Sequence, residues 1–251
     1  MRKNIEIIMV GGIIFLCLLA ISFLPRFQLK TKNMLATQTE NFIIYYDRKD
    51  KKVAKDIALA LEQVNEHISL NIEFNKKNKT EVYIYPSLKT FHSKRYGYIG
   101  SLLAPETYNG DNMKDKIMVV SPRGLKKPNS HDSVIKTSIH EYVHVAVYHI
   151  NKRAPRFLEE GLAGYLSENT EPMYKLEDKA SIDSTKMQNL LKPGNRTPYE
   201  ASYTYIEFLD KEFGMKNVLK LLKQPSSYKN IFGLSREEVY KDWGKYLKEN
   251  Y

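Results

Sequence analysis

The spacing of hydrophobic residues changes along the chain, and each change marks a different predicted element. Residues Phe42–Tyr46, 82–85 and Lys116–Val120 are short apolar runs rich in β-branched and aromatic residues, which predicts three strands. Residues 53–68 carry apolar side chains every three or four positions, which predicts a helix with one buried face. A shorter helix is expected over residues 88–96. The N-terminal half is therefore mixed.

A turn signal, Asn109-Gly110, precedes the third predicted strand. We expect residues 98–103 to form the hairpin partner of that strand across this turn region. The sheet would then be small, because few other runs in this half have the composition of a strand.

The second half of the chain shows helical spacing throughout. A long helix is predicted by the positions Val134, Ile135, Ile139, Tyr142, Val143, Ala146, Val147 and Ile150. Two S/T-x-x-E capping boxes, at residues 197–200 and 235–238, predict the starts of two further helices, and Gly214 is expected to end the first of these. A mixed half followed by a helical half predicts an α+β fold.

The long helix contains the pentapeptide His140-Glu141-Tyr142-Val143-His144, an H-E-x-x-H motif. Two histidines four residues apart lie about 40° apart around a helix, so both imidazoles can reach one metal ion. The intervening Glu141 can then take a proton from a water molecule at the metal. We therefore predict a catalytic zinc site with one Zn²⁺ per chain.

Catalytic zinc usually has three protein ligands, and two simple sources of the third are excluded. The extended pattern that ends in a third histidine would need Gly at 147 and His at 150, where this chain has Val147 and Ile150. His131 and His149 are each nine residues from one end of the histidine pair, about 900° of helix, so they point away from the metal.

Glu160 is the predicted third ligand. It follows a short loop after the motif helix and lies opposite an apolar stripe in the segment 155–166. Its neighbours on the helix surface, Ala163 and Gly164, are small, which allows a close approach to the motif helix. The adjacent Glu159 is rotated by about 100°, and we expect it to be a solvated carboxylate.

With H-E-x-x-H followed by Glu160-Gly161-Leu162-Ala163 and Tyr165, the chain resembles the gluzincin metallopeptidases, and within them the small peptidase MA-like family. The resemblance covers most of residues 40–248, but only these two pieces are specific. It implies a zincin-like fold in which His140, His144 and Glu160 are the zinc ligands and Glu141 is the general base.

The resemblance also implies a peptide or protein substrate bound along an edge strand above the metal, for which residues 98–103 or Lys116–Val120 would serve. Gluzincins often use a tyrosine to stabilise the oxyanion. Tyr203 and Tyr199 are one helical turn apart on one face of the predicted helix after residue 197, and both are candidates.

Residues 7–24 form an uncharged apolar run, preceded by Arg2 and Lys3, which is long enough to span a membrane with its flanks. We predict a cytoplasmic N-terminus over residues 1–6, a signal anchor over residues 7–24, a polar stalk over residues 25–40 and an extracellular metallopeptidase domain over residues 41–251. The alternative is a signal peptide that is cleaved, which would leave a secreted protein.

The net charge of +10 is carried by scattered lysines, which would give at most a weak attraction to anionic cell-wall or lipid surfaces. Nucleic acid is not an expected partner, since no basic run is interleaved with aromatic residues.

Two alternatives to an enzyme stay open. One is a non-catalytic zinc-containing adaptor or sensor domain at the cell surface. The other is a metal-free interaction domain in which the motif is fortuitous.

Overall fold

The computed structural model of the protein describes residues 2–71, 78–125, 130–168, 188, 191 and 198–251. These residues form one five-stranded sheet and a set of helices, which is compatible with the predicted α+β class. The capping box predicted at residues 197–200 begins at Thr197, which lies outside the described residues.

The described sheet has three parallel strands at its centre and an antiparallel strand at each edge. Its strands are β1 (Leu35–Gln38), β2 (Phe42–Tyr46), β3 (Thr80–Tyr85), β4 (Gly110–Met113) and β5 (Lys116–Val120). Their order is β1-β2-β3-β5-β4. The central strands are almost entirely buried, as parallel strands covered on both faces require. This explains why only these three strands were apparent as continuous apolar runs.

Both edge strands depart from the sequence-based predictions. Residues 25–40 are not simply a stalk, because β1 lies within them and pairs with β2. The hairpin partner of β5 is β4, whereas residues 98–103 lie at the end of a helix and in the turn that follows it. The reason is composition: the edge strands LATQ and GDNM have no run of β-branched or aromatic residues, and pairing with a neighbour makes them strands.

The helices that precede the functional site are α1 (Arg2–Phe27), α2 (Lys51–Asn71), α3 (Leu88–Gly100), the short α4 (Pro122–Leu125) and α5 (Ser130–Ile150). Those that follow are α6 (Arg156–Ser167), α7 (Pro198–Phe213), α8 (Met215–Lys223), α9 (Tyr228–Phe232) and α10 (Arg236–Asn250). The helices predicted over residues 53–68 and 88–96 correspond to α2 and α3. The second capping box is confirmed, since Ser235 and Glu238 cap α10 reciprocally.

Helix α5 connects the sheet with the helical half. It packs against β4, β5 and α2 and also against α6. Helix α6 in turn packs closely on α7, where Gly161 faces the backbone of Ser202. A β-carbon at Gly161 would overlap the carbonyl oxygen of Ser202 and lie 2.8 Å from the Cγ1 of Ile206. The glycine therefore sets the distance between α6 and α7.

Helix α1 contains one apolar segment, Met9–Phe27, of 19 residues with a mean hydropathy of 2.1. Only 11% of this segment is buried against the rest of the protein. By length and composition this N-terminal helix could be a membrane anchor or a signal sequence.

Candidate metal centre

The middle of α5 and the first turns of α6 bring two histidines and a glutamate together. The Oε2 atom of Glu160 lies 3.7 Å from the Nε2 atom of His140 and 3.7 Å from the Nε2 atom of His144. All three candidate ligand atoms lie within 4.8 Å of one another. The side chains are largely buried, with exposures of 18% for His140, 11% for His144 and 16% for Glu160. These three residues form a cluster that could hold a metal ion.

The chemistry and spacing of these donors fit zinc. Two imidazole nitrogens and one carboxylate oxygen are a ligand set of catalytic zinc. Ligand atoms at tetrahedral angles, each about 2.0–2.2 Å from one ion, are roughly 3.3–3.6 Å apart. The observed separation of 3.7 Å between the Oε2 of Glu160 and each imidazole nitrogen is close to that value.

Glu159 has a place in this cluster that the sequence did not indicate. Its Oε1 lies 3.0 Å from the Nδ1 of His144, so the predicted solvated carboxylate is instead a hydrogen-bond partner of a candidate ligand. A carboxylate on Nδ1 holds the imidazole in the tautomer that leaves Nε2 free to bind a metal. By contrast, the Nδ1 of His140 is buried and has no hydrogen-bond partner among the described residues. The two histidines are therefore oriented unequally.

Charge within the cluster suits a cation. Burial alone would raise the pKa of Glu160, but the contacts with His140, His144 and Arg156 outweigh burial and hold that pKa below its ordinary value. Burial alone would lower the pKa of His144, but the hydrogen bond to Glu159 and the charges of Glu141 and Glu160 raise it. Glu160 is thus an anion at neutral pH, and a metal ion must compete with a proton for His144.

Glu141 faces the same space and is held by β4. Its Oε2 accepts a hydrogen bond from the Nδ2 of Asn112 at 2.8 Å. Close approach of β4 to α5 depends on Gly110, where a β-carbon would overlap the methyl group of Thr137 and lie 3.2 Å from the Oε1 of Glu141. The sequence did not reveal this contact because β4 itself was not predicted.

A cavity of about 360 Å³ opens in front of the cluster. Besides the three candidate ligands, Glu141 and Glu159, its walls include Tyr108, Asp111, Asn112, Arg156 and Tyr199. Burial, with added effects of Tyr96 and Glu141, raises the pKa of Tyr108 to about 12. The phenol of Tyr108 therefore keeps its proton at neutral pH, and its hydrogen bond with Tyr96 favours that protonated form. The Asn109-Gly110 signal next to Tyr108 in the sequence could have indicated this loop.

The two predicted tyrosines are placed differently. Tyr199 lines the cavity, and its hydroxyl accepts a hydrogen bond from the Nη2 of Arg156 at 3.3 Å. Tyr203 is not among the described residues that line the cavity; its ring packs edge-on against Tyr165, with ring centres 5.6 Å apart. On position alone, Tyr199 is the better placed of the two.

His131 and His149 lie outside the cluster, where each has a carboxylate partner. The Nε2 of His131 lies 2.9 Å from the Oδ2 of Asp56, and the Nε2 of His149 lies 2.5 Å from the Oδ1 of Asp115. Neither is available as an additional ligand.

No family model matches the chain, and a comparison with curated proteins found no match either. The assignment of a function therefore rests on the geometry of the site.

Proposed function

We propose that the protein is a membrane-anchored, extracellular zinc metallopeptidase with a zincin-like catalytic domain. The observation that carries the proposal is the convergence of His140, His144 and Glu160, with one oxygen of Glu160 placed 3.7 Å from each imidazole. Two features go beyond what metal binding requires. The cavity beside the three ligands is open to solvent, and Glu141 lies on its wall without being part of the ligand cluster.

His140, His144 and Glu160 would hold the zinc ion, and Glu159 would orient His144. When bound, zinc acts as a Lewis acid that polarises the scissile carbonyl group and lowers the pKa of a water molecule. The carboxylate of Glu141 would take the proton of the attacking water and deliver it to the nitrogen of the leaving amine. The hydrogen bond from Asn112 holds Glu141 towards the cavity for that role.

Negative charge develops on the carbonyl oxygen of the substrate during the reaction and needs a hydrogen-bond donor. Tyr199 and Tyr108 both line the cavity and are the candidates for that donor. The edge strand β4 is adjacent, and an extended peptide could add to its outer edge by backbone hydrogen bonds. This replaces residues 98–103 and Lys116–Val120 as the proposed substrate strand, since the former are not a strand and the latter are internal to the sheet.

The first experiment measures the zinc content of the purified full-length chain in detergent, compared with Glu160→Ala. About one zinc per wild-type chain is expected, with a large loss in the variant, because three ligands define the site. His131→Ala is the matched control, since that histidine is on the same helix outside the cluster and should leave zinc unchanged. Metal-replete wild type without zinc would overturn the proposal.

The second experiment separates an enzyme from a non-catalytic zinc domain. Glu141→Gln should keep its zinc, while cleavage of a mixture of fluorogenic peptides falls by about 10²–10⁴-fold, the usual contribution of a general base. A structural zinc site has no need of Glu141. Zinc-loaded wild-type protein whose cleavage equals that of Glu141→Gln would therefore favour the adaptor or sensor alternative.

A further inference from the structure

The end of α1 is fixed against α3 by a close backbone contact. Ser22 of α1 is only 5% exposed, and its Oγ accepts a hydrogen bond from the backbone N–H of Ile99 at 2.9 Å. Gly97 has a φ of +79°, which favours glycine, and a β-carbon there would overlap the carbonyl oxygen of Ser22. Lys94 also donates to the backbone carbonyl of Gln28. Helix α3 is thus joined to the last turns of α1.

This contact fixes the depth of α3 relative to the apolar segment of α1. Met9–Phe27 has 19 residues, which at about 1.5 Å per residue is close to the roughly 30 Å of a hydrocarbon core. Ser22 precedes Phe27 by five positions, or about 7 Å of helix. If α1 spans a membrane, the backbone of Ile99, which is bonded to Ser22, therefore lies within the apolar layer and not above its surface.

Ile99 and the residues next to it in the sequence are apolar and exposed. Tyr98, Ile99, Leu102 and Leu103, which we call the apolar tip, are 59%, 49%, 83% and 85% exposed. The segment 98–103 contains no charged residue. Four large apolar side chains exposed together beside an apolar helix indicate a surface that is covered in the functional state.

Basic residues lie at and just after the end of the apolar segment of α1. Arg26 is the next-to-last residue of that segment, Lys30 and Lys32 follow it, and Lys94 of α3 donates to the backbone of Gln28 just after α1. Basic residues next to an apolar surface are typical of proteins that contact anionic lipid headgroups. Tyrosine is enriched at the boundary between membrane and water, which is where Tyr98 would lie.

We propose that the apolar tip inserts into the bilayer that α1 spans and forms a second membrane contact. The proposal goes beyond the enzymatic function, and it rests on retention of α1 as the anchor. Lipid is favoured over a protein partner because the contacts of Ser22 with Gly97 and Ile99 place the start of the tip beside α1, at the depth of its apolar segment.

The second contact holds the candidate metal centre near the lipid surface. Tyr108, which lines the cavity, follows Leu103 by five residues, and five residues span at most roughly 17 Å. Helix α3 supports the same wall: Arg95 pairs with Asp111 of β4, and the Nε2 of His92 lies 2.8 Å from the carbonyl oxygen of Tyr108. Movement of the tip would therefore be transmitted to the cavity.

The test uses the full-length chain with Cys17→Ser, in vesicles of phosphatidylethanolamine and phosphatidylglycerol. A polarity-sensitive fluorophore is attached at Leu103→Cys, and at Leu102→Cys as a second position. We expect a blue-shifted emission and loss of most of the fluorescence when nitroxide groups are placed on the lipid acyl chains.

Leu70→Cys is the matched control. Leu70 is 79% exposed and lies near the end of α2. Helix α2 precedes the parallel strand β3 and α3 follows it, so Leu70 and the apolar tip belong to opposite ends of that strand. Its label should emit as in water. Emission at both tip positions equal to that at Leu70 would overturn the proposal. A blue shift that changes with the ratio of protein to lipid, without quenching by the nitroxide lipids, would also overturn it, because it would indicate contact between protein chains.

Zinc content, measured on the same preparations, reports on the proposed enzyme separately, since Leu102, Leu103 and Leu70 do not line the cavity. Absence of zinc together with insertion of the tip would contradict the proposed enzyme and support the membrane contact. About one zinc per chain without insertion of the tip would support the zinc site and contradict the membrane contact.

Discussion

Glu159 and Glu160 are adjacent in sequence, yet both reach His144 from the same turn of α6. Glu160 approaches the Nε2 of His144 at 3.7 Å, and Glu159 approaches its Nδ1 at 3.0 Å. One imidazole thus lies between two carboxylates, of which one is a candidate metal ligand and the other fixes the ring. The beginning of α6 therefore supplies both a candidate ligand and the group that orients another candidate ligand.

Replacing Glu159 by glutamine should weaken zinc binding without removing a ligand. The amide lacks the charge that holds His144 with Nε2 free, and loss of such a partner typically lowers metal affinity by about 10–100-fold. Competition with a chromophoric chelator measures the change. Glu66→Gln, the same substitution at an exposed position of α2, is the control. An unchanged affinity in Glu159→Gln would show that His144 needs no such partner.

At this scale the sequence predicted the residues that helical spacing alone brings together. The separation of His140 and His144 by one helical turn and the small residues beside Glu160 were sufficient for the cluster. The contact between Glu159 and His144 was not predictable, because it depends on the angle between α5 and α6 and on the side-chain conformation of Glu159. Asn112 was missed for a related reason, since its strand carries no hydrophobic pattern.

Among the elements, the pair α6 and α7 determines how the cavity is closed on one side. Helix α6 carries Glu160 and Arg156, and α7 carries Tyr199. The hydrogen bond from Arg156 to Tyr199 crosses between them. The spacing of the two helices, set at Gly161, therefore also positions groups around the candidate metal.

Gly161→Ala should destabilise the protein by about 1–3 kcal/mol, as is usual when a methyl group is forced into a packed core. The added atom meets the backbone of Ser202, which cannot rotate away as a side chain could. Thermal unfolding in detergent, followed by circular dichroism, measures the change. Gly12→Ala is the control, because no atom lies within 4 Å of a β-carbon at that helical position. Equal midpoints for the two variants would contradict the packing argument.

The elements were predictable to different degrees. Long helices and buried strands were recovered because their patterns are set by burial, as in α5 and in β2, β3 and β5. The edge strands β1 and β4 were not, since an edge strand is defined by the strand beside it. Their absence from the prediction explains why residues 98–103 were assigned to a hairpin.

For the molecule as a whole, the main question is whether α1 remains attached to the domain. The contact of Ser22 with Gly97 and Ile99 joins α1 to the folded part of the chain. No sequence pattern indicated this contact, because the apolar segment of α1 has the same composition whether it packs on a protein or on lipid. The predicted span, residues 7–24, and the segment Met9–Phe27 nevertheless overlap closely.

The single cysteine of the chain provides a direct test of retention. Cys17 lies within α1, so an uncleaved protein recovered from the membrane should react with one maleimide after denaturation. In a Leu70→Cys variant, which is the control for labelling, one further thiol should react. Recovery of a mature chain of this variant in which only the introduced thiol reacts would show that α1 is removed, and would favour the secreted form.

For the proposed peptidase, the polar lining of the cavity has a consequence for selectivity. Its described walls consist of tyrosine, histidine, asparagine, arginine and acidic residues, with no aliphatic side chain that could form a pocket for one type of amino acid. A protease with such a cleft, held at a constant height above the lipid, would choose bonds by their distance from the membrane. Membrane-attached chains of unrelated sequence would then be cut at a similar number of residues from their attachment point.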